Sequence, residues 1–304
     1  MKRFKNLLLI ILFLVVSNKI LAQNNEDAHG LVKEGMKLND DKKYNEAIEK
    51  YNQALKIDSG YLFADYQLAL SLYALDKGQD GIPYLQKVIA GNTSLNAAAY
   101  DLSGLIYFRG KQYAEAEKYA IGAIKADPKN AGSQRMYALV CFHQNKRANA
   151  LLGLCSFILL EPQTARSAEA YGNIQHILKG GVLKPEPGVA NYPPDADTYD
   201  LNQAITKAVA EAGKQKYPTD DDLLAAQLKN IFIAVGQLAE KQTGNDFLRN
   251  YLAAYFYMLA QSPNMPAFAR LISQSTPESA KWITEHPQYS NDLYLWGKAT
   301  ERGF

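Results

Sequence analysis

The sequence predicts an all-α fold, a solenoid of paired helices followed by a second compact helical domain. Three observations carry that prediction. The same small and aromatic residues return about every 34 positions through the first half. Apolar residues in the second half recur three and four positions apart, the period of a helix face. No hairpin dipeptide flanked by alternating apolar residues interrupts the second half. With 304 residues, 47% hydrophobic and 21% charged, the chain is long enough for two cores, and collagen-like or wholly disordered classes are excluded.

The first element is a leader. Lys2, Arg3 and Lys5 precede an unbroken apolar run from Leu7 to Val16, and Ile20-Leu21-Ala22 ends in a small residue. A charged start, a short apolar core and a small-residue exit predict a secretory signal peptide over residues 1–22, cleaved after Ala22. The run is too short for a membrane span, which needs roughly 20 apolar residues. No later stretch approaches that length, so no transmembrane segment is expected after cleavage. The predicted location is periplasmic or secreted. Removing Lys2, Arg3, Lys5 and Lys19 changes the formal charge from +2 to −2. Without a positive field, nucleic acid is not an expected partner.

Next come the repeats. Gly35, Ala47, Ala54 and Asp58 return 69 positions later as Gly104, Ala116, Ala123 and Asp127. Tyr107, Ala116 and Pro128 return 34 positions later as Cys141, Ala150 and Pro162. An intervening copy runs from about Leu62 to Leu95. Its first helix aligns with the next copy at 34 (Tyr66 with Tyr100, Tyr73 with Tyr107) and its second at 35 (Gly81 with Ala116, Leu85 with Ala120). That difference predicts one residue missing from the turn around Gly78. Small residues let two helices cross closely, aromatics fill the neighbouring holes, and proline ends the second helix.

This pattern resembles the tetratricopeptide repeat, a helix–turn–helix unit of 34 residues. The resemblance covers four copies over 26–163. Residues 164–180, with Ala170, Ile174, Ile177 and Leu178 at helical spacing, read as a capping helix. The signal ending Leu-Ala-Gln and the overall layout are also similar to exported repeat proteins of Bacteroidetes-type bacteria.

Gly180-Gly181 stops the cap, and Pro185, Pro187, Pro193 and Pro194 make 181–197 an extended linker. From Thr198 the helical pattern returns. Leu201, Ile205, Ala208 and Ala212 form one face. Thr219 caps a helix whose first turn holds Asp220, Asp221 and Asp222, where the helix dipole favours negative charge over any need for a metal. That helix is expected to reach Gln242. Asn245 caps one containing Phe247 to Leu259, Pro266 opens another to about Gln274, and Thr276-Pro277-Glu278 opens the next. A final helix spans roughly Asn291–Glu301. Residues 198–304 therefore read as a helical domain of their own.

Little in the sequence points to catalysis or a cofactor. His29, His143, His176 and His286 form no short-spaced metal motif. Neither a phosphate-binding glycine loop nor a GxSxG elbow occurs. Cys141 and Cys155 lie on apolar helix faces, where a thiol behaves as a small hydrophobe. One enzymatic alternative is Glu278-Ser279, a dipeptide used by some exported helical enzymes that cleave peptidoglycan, in which a buried Glu278 would act as general acid. At the start of a helix, however, Glu278 already complements the dipole. Tyr251, Tyr255, Phe256 and Tyr257 could offer a carbohydrate platform, but aromatics at this spacing usually build a core.

The expected function is that of a non-enzymatic scaffold for a protein or peptide. The resemblance implies that the concave side of the first helices presents Val32, Met36 and Asn39, then Gln67, Ser71 and Ala74. It continues with Asp101, Leu105, Phe108 and Arg109, then Arg135, Leu139, Phe142 and His143. Phe108 and Phe142 stand 34 apart and would project in register. A clamp for a carboxylate-ended tail needs basic and amide groups where this chain has Val32, Met36, Ala98 and Leu102, so that specificity is not implied. An alternative is a structural subunit of an envelope assembly, contacting through 198–304.

Overall fold

A computed structural model describes residues 27–181, 194–244 and 246–304. The expected signal peptide and cleavage site, and most of the 181–197 linker, lie outside them. Every regular element among the described residues is a helix, with no strand. They divide into two compact units, one ending at Ile106 and the other starting at Tyr107.

The first unit holds α1 (27–40), α2 (Tyr44–Ile57), α3 (Leu62–Ala74), α4 (Gly78–Ala90) and most of α5 (Asn96–Arg109). Gly35 shows why the pattern needs small residues. A Cβ there would lie 2.5 Å from Cε1 of Tyr51, whose ring is fully buried against the glycine. At the next crossing a Cβ on Gly81 would lie 3.2 Å from the Cα of Ala69. Around Tyr51 the core gathers Ala28, Val32, Ala47, Ala54, Ala64 and Leu68.

Each first helix stops the same way. Lys43, Lys77, Gln112 and Lys146 donate their backbone N–H groups to the carbonyls of Leu38, Leu72, Tyr107 and Cys141, at 2.8 to 2.9 Å. The residue before each donor, Lys42, Asp76, Lys111 or Asn145, adopts a left-handed conformation with φ between 56 and 60°. This is the six-to-one closure that satisfies orphan carbonyls at a helix end. Gly181 closes α9 (Ala165–Leu178) likewise onto His176, with Gly180 at φ 78°.

These stops correct the repeat register. They fall at 42, 76, 111 and 145, so the second and third copies stand 35 apart already at the first helix. No residue is missing near Gly78. The extra residue lies instead in the connection 91–95, one longer than 58–61 or 127–130. Asp65, not Tyr66, is therefore the counterpart of Tyr100. A shift of one residue turns a helix face by about 100°, and the second copy presents Tyr66, Leu70 and Tyr73 where Gln67, Ser71 and Ala74 were expected.

The second unit contains α6 (Tyr113–Ala126), α7 (Ala131–His143), α8 (Arg147–Leu160) and α9. After them come α10 (Ala196–Ala212), α11 (Asp220–Ala239), a π-helical stretch Phe247–Ala253, α12 (Ala254–Gln261), α13 (Met265–Ile272), α14 (Pro277–Glu285) and α15 (Pro287–Ala299). The expected separate domain over 198–304 shares its core with the later repeat helices. One hydrophobic cluster runs from Ala120 to Leu293 and takes in both repeat helices and later ones. Its centre is α8, where every residue from Arg147 to Ile158 is buried. α7 and α9 pack on α8, as do α10, α13 and the π-helical stretch. Tyr137 meets Phe247 edge-on at 5.0 Å, and Gln134 donates to the Tyr251 hydroxyl at 2.7 Å.

Polar groups fix this wrapping. The Asn202 carboxamide on α10 accepts from the N–H of Arg147 and donates to the carbonyl of Asn145, both at 2.9 Å. It thus caps α8, whose own N-cap residue Lys146 supplies no side-chain bond. Arg147 donates to the Ile177 carbonyl at 2.8 Å and to Thr206 Oγ1 at 3.3 Å. Thr219 caps α11 as expected. The last helix begins at Pro287 rather than Asn291, because a proline at the first helical position lacks an N–H that would have no partner there. Cys141 and Cys155 are buried and free, and burial pushes both thiols up.

Candidate protein-binding face

In the first unit, residues 27–106, the expected face is partly consumed by packing. Val32 is buried in the core beside Ala28 and Ala64, which removes it from any binding surface. Met36 stays 38% exposed, and Leu70, its counterpart in the corrected register, 36%. Ser71 is buried and donates to Asn39 Oδ1 at 2.8 Å, while Asn39 donates to the Tyr51 hydroxyl at 3.1 Å. Those bonds give Asn39 a structural task. Gln67, Asp101 and Leu105 are half-buried. Burial, and then the nearby charge of Asp101, raises the Tyr66 phenol above its usual value.

In the second unit, from residue 107, the face is aromatic. Phe108 is half-buried at the end of α5. It meets Tyr113 at 5.6 Å and His143 edge-on at 5.3 Å, and Tyr113 stacks on His143 at 4.9 Å. Arg135, Leu139 and His143 follow at four-residue steps along α7, so they share one side of it, and all three are half-buried. Arg135 pairs with Glu169 of α9 at 2.7 Å. Arg109 is exposed. Phe142 departs from expectation. It is only 8% exposed and packs edge-on against His176 at 5.8 Å, so it stiffens the joint between α7 and α9 instead of offering a free ring.

The other candidate chemistry falls differently. Glu278 is exposed, not buried as the general-acid alternative requires. Its neighbour Ser279 is buried in a clasp that the sequence did not signal. Ser273 and Ser279 donate to the two carboxylate oxygens of Asp221 at 2.8 and 2.7 Å, and Thr276 donates to Ser279 at 2.9 Å. The clasp ties the starts of α11 and α14 to the end of α13. No group of residues suited to a metal occurs among the described residues. Tyr251, Tyr255 and Phe256 are buried, as expected of a core.

Two overlapping segments, 66–131 and 104–156, match the family model of the tetratricopeptide repeat. Residues 66–156 are tetratricopeptide repeats. The α1–α2 hairpin outside the match closes with the same turn as the tetratricopeptide pairs that follow. Solved structures are looser likenesses. MamA 41-end from Desulfovibrio magneticus RS-1 is 21% identical with a TM-score of 0.42, over 44% of this chain and 76% of that one. Pseudomonas aeruginosa pilF is 15% identical with a TM-score of 0.43, over 79% of this chain and 100% of that one. No curated protein sequence matches. Tetratricopeptide repeats are protein-binding scaffolds that work through stacked helix faces. No helix among the described residues is long and apolar enough to cross a membrane.

Proposed function

We propose that this protein is a non-enzymatic scaffold of the cell envelope that captures a peptide segment on the exposed side of α7 and the adjoining end of α5. One observation carries the proposal. Phe108 is propped by Tyr113 and His143 yet partly open to solvent, and His143 shares its side of α7 with the half-buried Leu139. A rigid ring that needs no reordering to bind is the kind of anchor on which interfaces concentrate their energy. The ring and the neighbouring Leu139 favour a segment with an apolar side chain. Export is supported by the leader pattern of residues 1–22.

The test is a displayed peptide library selected on the full chain and rescreened on Phe108→Ala with Leu139→Ala. Phe142 is left intact because its loss would disturb packing. Selected peptides should lose at least about tenfold in affinity, equivalent to about 1.4 kcal/mol, while helicity is kept. Undiminished binding to the variant overturns the proposal.

A second reading, a structural subunit of an envelope assembly, draws support from α15. That helix buries only Leu293 and leaves Tyr289, Tyr294 and Leu295 46, 57 and 52% exposed. Deleting residues 190–304 would not separate the two readings, because it strips Phe247 and Tyr251 from the repeat helices. Tyr294→Ala with Leu295→Ala does separate them. It abolishes assembly under the second reading and leaves peptide capture unchanged under the first.

A further inference from the structure

Residues 300–304 carry no helix or strand, and the side chains of Arg302 and Phe304 lie on an aromatic face of the second unit. The Arg302 guanidinium sits 3.9 Å from the ring centroid of Tyr255, 5.1 Å from that of Tyr251 and 5.5 Å from that of Phe256. It donates to Ser156 Oγ at 2.8 Å. Among the described residues no carboxylate pairs with it. Phe304 stacks on Tyr251 with centroids 4.7 Å apart and planes within 5°, and is still 48% exposed.

A cation held by ring faces and one neutral hydroxyl is held by quadrupole attraction, which suits a planar guanidinium better than a compact ammonium. Residues two apart in an extended chain point to the same side, which is how Arg302 and Phe304 reach Tyr251 together across Gly303. The face therefore reads a short pattern, an arginine two places before an aromatic residue. We propose that Tyr251, Tyr255 and Phe256, with Ser156 as acceptor, form a recognition site for extended Arg-x-aromatic segments, occupied within the chain by Arg302 and Phe304. A partner carrying the same pattern competes for it. This site is separate from the α7 face and does not depend on it.

An internal occupant lowers the apparent affinity for a competitor by the fraction of time the site is filled. The test uses the full chain and a labelled peptide, Thr-Glu-Arg-Gly-Phe. The variant Arg302→Gln with Phe304→Ala should bind the peptide at least about tenfold more tightly than wild type, because the internal competitor is gone. The same peptide with Gln in place of Arg should lose that gain. Equal binding to both proteins, no binding to the variant, or equal binding of the Gln peptide overturns the proposal. If the double variant loses its helical signal, Phe304→Ala alone decides. That ring is half exposed, a gain of about threefold is expected from partial release, and no gain is again a refutation.

Discussion

α2 and α8 occupy the same place in their repeats, each the second helix of its pair and each 14 residues long. α2 buries Ala47, Tyr51 and Ala54 and leaves the rest of its surface half or fully open. α8 buries twelve residues in succession. Ala54 and Phe157 stand at equivalent positions, so one site in the motif takes a methyl group in the first unit and a benzyl group in the second. The repeat thus dictates how a helix meets its own partner and says nothing of what covers its other sides. In the second unit residues from α10 onward provide that cover, and the repeat sequence has changed to receive it.

The sharpest way to break this comparison is Phe157→Ala, which should cost about 3–5 kcal/mol as a large buried side chain leaves a cavity. Trp282 and Trp296 are the chain's two tryptophans, and both lie in the second unit. Urea unfolding followed by tryptophan fluorescence therefore reports that unit, and its midpoint should fall steeply. Gly35→Ala should cost about 1–3 kcal/mol through overpacking against Tyr51. It should shift the transition seen by far-ultraviolet circular dichroism and leave the tryptophan midpoint in place. A moved tryptophan midpoint would mean that the units do not unfold independently. Asn202→Ala removes the borrowed cap of α8 and should cost about 1–2 kcal/mol, read by the same fluorescence.

Acid pH sharpens the contrast with the smallest effects. The backbone N–H and side chain of Thr198 hold the Asp195 carboxyl below its usual range. Its stabilising contribution is therefore present above the ordinary carboxylate value and is lost as pH falls through the depressed one. Asp195→Asn, which can still cap α10, should flatten that part of the tryptophan-detected profile. Asp65, in the first unit, goes the other way. Burial raises its pKa and outweighs the hydrogen bond and charge of Lys87, 2.7 Å away. The first unit should then gain stability as pH falls through the raised value, and Asp65→Asn should remove that slope from the circular dichroism profile.

Much of this was legible in the sequence. The helical pairs, the Gly180 stop and the Thr219 cap follow from residue types with strong local preferences. The register of the second copy is masked in the sequence because Tyr66 and Tyr73 match Tyr100 and Tyr107 at 34. The longer connection at 91–95 was the better guide. Burial of Val32 and Phe142 was not legible, since it depends on neighbours distant in the chain. The wrapping of α8 did leave a sign. From Ala150 to Leu160 only Gly153 and Ser156 interrupt the apolar residues, and a helix apolar on every side is a buried one. The Arg302 contacts left none, because they join residues 146 positions apart in the case of Ser156.

The borrowed cap on α8 has a consequence for synthesis. When residue 160 emerges from the ribosome, a greasy rod exists whose starting amide still has no carbonyl to meet, since Asn202 has yet to emerge. Its flanks stay bare until the segment around Phe268 has followed. A nascent chain in that interval offers chaperones, or other nascent chains, a sticky target of twelve residues that the finished molecule never shows.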